Sequence, residues 1–491
     1  MILINPQFDR IKKLGIFSRY VPISLPIGIG ILAGYLIKNG KKAKIIDDQI
    51  TPITEEVLAE YVKGLDGPYI FGLSCFTAGI FRGYELARMI KKYYPDSYVV
   101  MGGIHPTVLP EEVLACEAVD IVVRREGDET IIALYDILKQ RADYQHILGI
   151  SYKDTNGNIV HNADAPVLKD LNILPPFPYH LFEKHIDRYN LGFILSARGC
   201  PYDCFFCSQL RISGRQYRFT DPSRVIDELD LLINKYGQKN ISFFDDNFVV
   251  NRDRTRELCN LMYERGFHKK AEFECQTRGD AIDEEILGYL KKAGFTTIAF
   301  GLETGSERLM KIINKGETVA QNVAAVKLAK KHGFKVMASF ILGLPTETKE
   351  ERKMAYQLAK DLDLDYAKFN NATPYPGTAL YDIAVAEGSL NAGPNYENLS
   401  ACGTFVEGPF NNTPMAYCPK TANEKDLKKD ILRANLYFWL QPKKIFKVLS
   451  SGGVSGGWLN LPSRWYFKPK EWWGITRLGF RVLGSLLKVF I

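Results

Sequence analysis

The sequence lacks the features of a secreted or disordered protein. Nine cysteines in 491 residues are too few for a disulfide scaffold, and the start MILINPQFD resembles a first core strand more than a signal peptide. No low-complexity tract occurs, while 46% of residues are hydrophobic and 24% are charged, as in ordinary globular proteins. We therefore expect a cytoplasmic protein of two or three folded domains, with thiols free to bind metal.

Acidic residues are scarce at the end of the chain. From Gln441 onward the chain has nine lysines and arginines but one acidic residue, Glu471. The net charge of this segment therefore exceeds that of the whole chain, which is +7. A nucleic-acid-binding protein usually carries a basic face across its fold. Because the positive charge is confined to the tail, we do not expect nucleic acid as a partner.

A dinucleotide-binding fingerprint of the form G-x-G-x-x-G is missing after the first apolar segment, which runs into Asn5-Pro6-Gln7. This absence argues against NAD or FAD. Short apolar runs nevertheless alternate with amphipathic stretches throughout residues 1–150, which predicts a Rossmann-like, doubly wound parallel sheet. Ligands of such sheets bind at the carboxyl ends of the strands, here the turns 74–77, 102–107 and 126–129.

Three further regions follow. Residues 151–190, rich in Asp, Asn and Pro, are interpreted as a linker. Residues 191–385 repeat strand and helix six times, with strands starting near residues 194, 241, 272, 297, 335 and 366, which predicts a partial (β/α)6 barrel. Residues 386–491, with all five tryptophans, are expected to be mostly helical.

The first barrel strand leads into three cysteines spaced C-x3-C-x2-C: Cys200, Cys204 and Cys207. Thiolates suit iron–sulfur clusters and zinc. Structural zinc and ordinary ferredoxin clusters need four ligands, but the next cysteine, Cys259, falls in a helix-like segment. The loop therefore predicts a [4Fe-4S] cluster with one open iron. The alternative is a zinc knuckle completed by a distant cysteine or histidine.

This loop resembles the cluster loop of the radical S-adenosylmethionine (SAM) superfamily. The resemblance covers about residues 190–380 and implies that the open iron binds SAM, which is cleaved to a 5′-deoxyadenosyl radical. It also implies SAM contacts at the ends of later strands. The residues are Asp245 and Asp246 for the amine, Arg278 for the carboxylate, Glu303 for the ribose and Gly343 for the adenine side.

Together with the first domain, the domain order is similar to that of the cobalamin-binding radical SAM class. The matching residues are Ser74, Thr77, Gly102, Gly103, His105 and Glu126, and the resemblance implies that they contact cobalamin. Glycines at 102 and 103 would let a flat macrocycle approach the backbone. The D-x-H-x-x-G motif of cobalamin mutases is absent, so cobalamin is expected without a histidine ligand from the protein. A histidine next to a proline in a turn is more often a structural residue, which is the alternative interpretation of His105.

The resemblance implies methylation of an unactivated carbon, in which one SAM methylates cobalamin and a second supplies the radical. An electron donor such as ferredoxin or flavodoxin is then required. Two alternatives stay open: a radical oxidative cyclase acting on a tetrapyrrole or lipid, and a non-catalytic cobalamin- or redox-sensing module. Loop position suggests substrate contacts at Asn370, Asn371, Tyr375 and Arg215.

The tail segment 475–491 has the pattern of a basic amphipathic helix preceded by clustered tryptophans. Such helices lie at membrane interfaces, and three charges in so short a segment argue against a membrane span. We therefore expect peripheral membrane contact and a hydrophobic, lipid-like or polycyclic substrate. The alternative is a terminal helix docked on the barrel.

Overall fold

The computed structural model describes residues 1–7, 23–401 and 414–444. Two parallel sheets, each covered by helices, organise these residues. Their strands are short runs of Ile, Leu, Val and Phe, the residues that pack best on a pleated surface buried on both faces. The predicted α/β fold class, a doubly wound domain followed by a partial barrel, is confirmed.

The first sheet has seven strands in the order β3-β1-β4-β5-β6-β7-β8. The first five are parallel, and β7 and β8 close one edge as antiparallel strands. The chain reverses strand order between β1 and β4, which is where ligands of such sheets bind. The strands are β1 (Ile2–Asn5), β3 (Lys44–Asp47), β4 (Ile70–Ser74), β5 (Tyr98–Gly102), β6 (Ile121–Val123), β7 (Ile150–Lys153) and β8 (Ile159–His161).

Helices cover both faces of this sheet. Their apolar sides meet strand residues in two hydrophobic clusters, one around Phe71 and Leu86 and the other around Leu3 and Leu134. The helices are α1 (Ile27–Lys38), α2 (Glu55–Val62), α3 (Ile80–Tyr93), α4 (Ile104–Val108), α5 (Pro110–Ala115) and α6 (Asp128–Lys139).

The second sheet has six parallel strands in sequence order, β10-β13-β14-β15-β16-β17, and is an open barrel. Its strands begin within two residues of the predicted starts. Every second residue, including Phe243, Phe273 and Phe300, packs against the surrounding helices. The strands are β10 (Phe193–Ile194), β13 (Asn240–Phe243), β14 (Glu272–Thr277), β15 (Phe295–Glu303), β16 (Lys335–Leu342) and β17 (Tyr366–Asn371).

Side-chain caps define the helices between these strands. Thr318 and Thr348, for example, each begin a helix with a reciprocal capping box. The helices are α7 (Gln209–Ser213), α8 (Pro222–Asp230), α9 (Arg252–Glu264), α10 (Glu284–Ala293), α11 (Glu307–Ile312), α12 (Val319–Lys331), α13 (Lys349–Asp361), α14 (Ala379–Ala386) and α15 (Glu424–Trp439).

Two short pairs of strands join distant parts of the chain. Strand β2 (Ile23–Ser24) pairs with β9 (Tyr189–Asn190), and β11 (Ala197–Arg198) pairs with β12 (Arg218–Phe219). The expected linker 151–190 differs from this structure at its start, because β7 and β8 extend the first sheet to His161. These strands were missed because their Asp, Asn and Gly residues, which form the hairpin turn between them, have the composition of a linker.

The structure describes only part of the C-terminal region. Helix α15 packs on α13 and β17 of the barrel, whereas the predicted amphipathic helix at 475–491 lies outside the described residues. In the described part of the chain, no helix has the length and apolarity needed to cross a bilayer.

Candidate active site between the two sheets

The cysteine loop leaves β11 and reaches α7. Gly199 adopts a φ of +83°, and a Cβ at this position would collide with the carbonyl oxygen of Gln216. The loop then turns back on itself, with the Cys207 N–H donating to the Cys204 carbonyl over 3.0 Å. Glycine is therefore required for the chain to turn directly into the first cysteine.

The three thiols lie near one another and near positive charge. Burial raises the pKa of Cys204 to about 12 and that of Cys207 to about 11, while the Lys315 ammonium counteracts the shift at Cys204. No three Cys, His, Asp or Glu side chains among the described residues converge closely enough to share one metal ion. A [4Fe-4S] cluster takes each thiolate on a different iron, and the three thiols of this loop can supply such ligands.

Asp245 and Asp246 follow β13, but their environments differ. Asp245 is fully buried and accepts hydrogen bonds from Ser196 N–H (2.6 Å), Ser196 Oγ (2.6 Å) and Ala197 N–H (2.9 Å). Its carboxylate thus anchors the segment that leads to the cysteines and has little capacity left for SAM. Asp246 is exposed on the surface. Its pKa is nevertheless raised to about 6, mainly by desolvation from the surrounding protein and to a smaller extent by the Asp245 charge. Asp246 is the better candidate for the SAM amine.

Arg278, at the end of β14, is held inside the chain. Its guanidinium binds Asp280 through two hydrogen bonds of 2.9 and 2.7 Å, donates to the Lys315 carbonyl and lies 3.6 Å above the Tyr202 ring. Tyr202 belongs to the cysteine loop. The predicted contact with the SAM carboxylate stays a prediction, and it would use the N–H groups of Arg278 that these three hydrogen bonds leave over.

Glu303 ends β15 with a φ of +59°, at a register shift between β15 and β16. Its carboxylate lies 3.0 Å from the Lys315 ammonium, which is also 3.1 Å from Glu317. Lys315 is buried, yet the two glutamates hold it charged and raise its pKa against the effect of burial. Lys315 therefore fixes the carboxylate for which a ribose contact is predicted.

Gly343 ends β16 with a φ of +84°, and a Cβ there would lie 2.8 Å from the Leu427 side chain. Its N–H donates to the Glu347 carboxyl over 2.5 Å. Glu347 is fully buried, and burial raises its pKa to about 8. The turn expected on the adenine side of SAM is thus held by a buried carboxyl group.

Gly102 and Gly103 lie at the carboxyl edge of the first sheet, beside the switch in strand order. The Gly102 carbonyl accepts from Cys75 N–H over 2.8 Å, and a Cβ on Gly103, whose φ is +99°, would lie 2.8 Å from the Cys75 carbonyl oxygen. Ser74 is half-buried at the end of β4. This close approach of backbone segments leaves a surface without side chains, as a flat macrocycle requires.

Thr77, His105 and Glu126 are turned away from this edge. His105 is completely buried, with Nδ1 3.3 Å from Thr77 Oγ1 and Nε2 3.4 Å from Glu112. Glu126 is buried and binds Arg218 over 2.6 Å. The structure therefore gives these three residues partners within the chain. Their predicted contacts with cobalamin remain untested.

Glu126 instead joins the two domains. It accepts from Arg218 on β12 and from Ser213 on α7, and the neighbouring Asp128 binds Arg198 over 2.8 Å. Arg198 and Arg218 flank the cysteine loop. The carboxyl edges of the two sheets therefore face each other across a set of buried ion pairs.

Two residues of this site were missed in the sequence. Phe76 lies in the turn after β4 and is 69% exposed, the most exposed large apolar side chain among the described residues. Its signal was an aromatic residue within a turn at a ligand-binding edge. Lys315 had no comparable signal, because a lysine before a glycine is an ordinary surface residue.

The four suggested substrate contacts do not form one group. Arg215 pairs with Asp203 on the cysteine loop, and the Tyr375 carbonyl accepts from Thr378 within a turn. Asn371 is buried, whereas Asn370 is half-buried on the opposite side of β17. In β17, Asn370 is aligned with Ile341 of β16. Of the four, Asn370 retains the best position for a substrate contact inside the barrel.

Comparison with known proteins agrees with this arrangement. Residues 194–359 match the model of the radical SAM superfamily, and residues 16–135 match that of the B12 binding domain. An uncharacterized methyltransferase of Pyrococcus horikoshii is 33% identical over 428 residues, which is 86% of this chain and 89% of the relative. The chain belongs to the cobalamin-binding radical SAM family.

Other relatives in this family differ in their named reactions. The anaerobic magnesium-protoporphyrin IX monomethyl ester cyclase of Cereibacter sphaeroides is 32% identical over 72% of this chain and 60% of its own length. The hopanoid C-2 methylase of Rhodopseudomonas palustris is 29% identical over 52% of this chain and 51% of its own length. The structure of the radical SAM methyltransferase TsrM from Kitasatospora setae covers 80% of this chain and 79% of its own, with a TM-score of 0.65 at 18% identity, and shows the same fold.

The chain is accordingly a cobalamin-dependent, methyltransferase-like radical SAM enzyme. Its cofactors are a [4Fe-4S] cluster, SAM and cobalamin, as predicted. The cysteine loop fits the cluster by its three thiols, and the glycine surface at residues 102 and 103 fits a macrocycle. Which side chains touch each cofactor remains a prediction.

Proposed function

We propose that this enzyme methylates an unactivated carbon of a hydrophobic, lipid-like substrate. The observation that carries the proposal is the juxtaposition of the two carboxyl edges. The buried pairs Glu126–Arg218 and Asp128–Arg198 hold the cysteine loop against the edge of the B12-binding domain. A radical centre and a methyl donor must act on the same substrate carbon, and this interface sets them side by side.

The residues of the chain have separate tasks in this proposal. Cys200, Cys204 and Cys207 hold the cluster, Asp246 receives the SAM amine, and Glu303 is kept in place by Lys315 for the ribose. The cofactors, when bound, supply a carbon radical that takes hydrogen from the substrate and a methyl group that replaces it. The ion-paired interface excludes water from the space between them, which protects a radical from side reactions.

Exposed aromatic side chains at both edges support a hydrophobic substrate. Phe76 stands at the edge of the first sheet, and Phe244, which is 53% exposed, follows β13 beside Phe193 with ring centroids 5.3 Å apart. We take these exposed rings as candidate contacts for an apolar substrate because both follow strands at the carboxyl edges, where ligands of such sheets bind. The relative named hopanoid C-2 methylase gives independent support for a lipid-like substrate.

The nucleoside products test the reaction type. Methylation through cobalamin consumes two SAM molecules, so anaerobic turnover with substrate and a flavodoxin or ferredoxin system should give S-adenosylhomocysteine and 5′-deoxyadenosine in about equal amounts. Product analysis by mass spectrometry should show a gain of one methyl group. 5′-Deoxyadenosine without S-adenosylhomocysteine would contradict methylation.

A radical oxidative cyclase is the second candidate, favoured by the magnesium-protoporphyrin cyclase relative. It predicts 5′-deoxyadenosine alone and a product that loses hydrogen without gaining carbon. Incubating the enzyme with a tetrapyrrole ester and, separately, with a polycyclic triterpenoid would distinguish the two substrate classes.

We further propose that the basic tail brings the enzyme to an anionic membrane surface. The support is sequence charge and aromatic content, since the tail lies outside the described residues. Deleting residues 464–491 should abolish co-sedimentation with phosphatidylglycerol liposomes while leaving cluster content unchanged. Equal co-sedimentation of the full and shortened chains would contradict this role.

A further inference from the structure

A partly buried polar cluster beside the proposed cobalamin edge connects three parts of the chain. Glu112, on α5, is its centre. It accepts hydrogen bonds from Tyr84 on α3 over 3.0 Å and from Tyr396, which lies after the barrel. His105 completes the cluster, with Nε2 3.4 Å from Glu112.

The charge state of Glu112 follows from these contacts. Burial alone would raise the pKa of Glu112, but the neighbouring His105 and the hydroxyl groups of Tyr396 and Tyr84 outweigh burial and lower it. On its other side, the His105 ring places Nδ1 3.3 Å from the Thr77 hydroxyl oxygen.

Thr77 belongs to the turn that presents Ser74 and Phe76 at the edge of the sheet. Thr77 is buried beside His105, whereas its neighbour Phe76 is 69% exposed. His105 itself follows Gly103, so one cluster supports both turns that form the proposed cobalamin surface. The ring of Tyr396 also packs edge-on against His105, with centroids 5.2 Å apart.

From this geometry we infer that His105 and Glu112 are positioning residues that couple cobalamin binding to seating of the segment 387–401 on the first domain. Because the His105 side chain is completely buried, we do not expect it to act as a cobalt ligand. This inference rests on the proposed cobalamin surface. Such coupling is reciprocal. The contact between Tyr396 and Glu112 should strengthen cobalamin binding, and bound cobalamin should stabilise the docked position of the segment 387–401.

The matched pair Tyr396→Phe and Tyr84→Phe tests the coupling, since each removes one hydroxyl from the same carboxylate. Cluster-containing protein would be titrated anaerobically with hydroxocobalamin by visible absorption. Hydrogen–deuterium exchange of the segment 387–401 would be followed with and without cobalamin. We expect Tyr396→Phe to weaken cobalamin binding by roughly fivefold or more and to abolish cobalamin-dependent slowing of exchange. Tyr84→Phe, within the first domain, should preserve that slowing.

Equal effects of the two variants on both measurements would overturn the inference, because Glu112 would then only stabilise the first domain. Unaltered protein whose segment 387–401 exchanges at the same rate with and without cobalamin would also overturn it. If the unaltered protein binds no cobalamin, the proposed function fails and the inference fails with it. His105→Asn should keep cluster content and the visible spectrum of bound cobalamin, while weakening affinity as Tyr396→Phe does. A changed cobalt spectrum would identify His105 as a ligand.

Discussion

The carboxyl edges of the two sheets differ in how their predicted site residues are arranged. At the barrel, the three cysteines, Asp246 and Glu303 lie around one loop. At the first sheet, Thr77, His105 and Glu126 are polar residues in the expected turns, but each is occupied by another part of the chain. Metal ligands at fixed spacing restrict the possible structures severely, whereas a polar residue in a turn has many possible partners.

We expect the largest effect from removing a cluster ligand at the barrel edge. Cys204→Ser should lose the cluster and reduce SAM cleavage to background, at least about a hundredfold, because an iron ligand is removed. Iron analysis and 5′-deoxyadenosine formation measure this. Cys418→Ser is the matched control, since that half-buried thiol contacts the Ala422 carbonyl at 3.4 Å and should keep both. Full SAM cleavage by Cys204→Ser would refute the cluster assignment.

Breaking the contact between the edges should have the next largest effect. Glu126→Gln leaves the buried guanidinium of Arg218 without its carboxylate, which costs about 3–5 kcal/mol of unfolding free energy. Thermal unfolding under anaerobic conditions measures the loss. Glu111→Gln, at a largely exposed ion pair with His161, should change stability by less than about 1 kcal/mol. Similar melting of the two variants would show that Glu126 does not hold the domains together.

The substitution Gly103→Ala tests the proposed cobalamin surface at the edge of the first sheet. Its positive φ and the clash with the Cys75 carbonyl should cost about 1–3 kcal/mol and weaken cobalamin binding. Gly157→Ala shares a positive φ of +83° but has no atom within 4 Å of the added Cβ. It isolates backbone strain from the clash and should leave cobalamin affinity unchanged. Normal cobalamin affinity in Gly103→Ala would remove this surface from the site.

The last prediction concerns the pH dependence that Glu347 gives to stability at the barrel edge. Its folded pKa, raised to about 8 by burial, exceeds the ordinary value of 4.5, so unfolding releases a proton between these values. The stability contributed by this carboxyl is therefore lost as pH rises from about 5 to 8. Relative to Glu347→Gln, the unaltered protein should become progressively less stable over that range. Parallel melting curves at pH 5, 6, 7 and 8 would contradict the buried neutral carboxyl.

Repeating patterns made the fold predictable. Six strand–helix repeats placed the barrel strands within two residues, because buried parallel strands are continuous apolar runs. Strands β7 and β8 were not foreseen, since a short antiparallel hairpin at a sheet edge has the same Asp and Asn content as a linker.

The site was predictable where chemistry restricts spacing and hidden where it depends on contacts between distant residues. The link between Glu126 and Arg218 spans 92 positions, and the one between Glu112 and Tyr396 spans 284. No local pattern connects such residues. Asp245 and Asp246 were indistinguishable as neighbours in sequence, and only the hydrogen bonds from Ser196 and Ala197 separate an anchor from an accessible carboxylate.

The ion pairs between the sheets also bear on how such enzymes are recombined. A chimera in which the grafted N-terminal domain lacks carboxylates at the positions of Glu126 and Asp128 would leave Arg198 and Arg218 without partners. Two unpaired cations at the junction would oppose assembly even if each half folded well. A domain chosen for such a graft should therefore keep these two carboxylates.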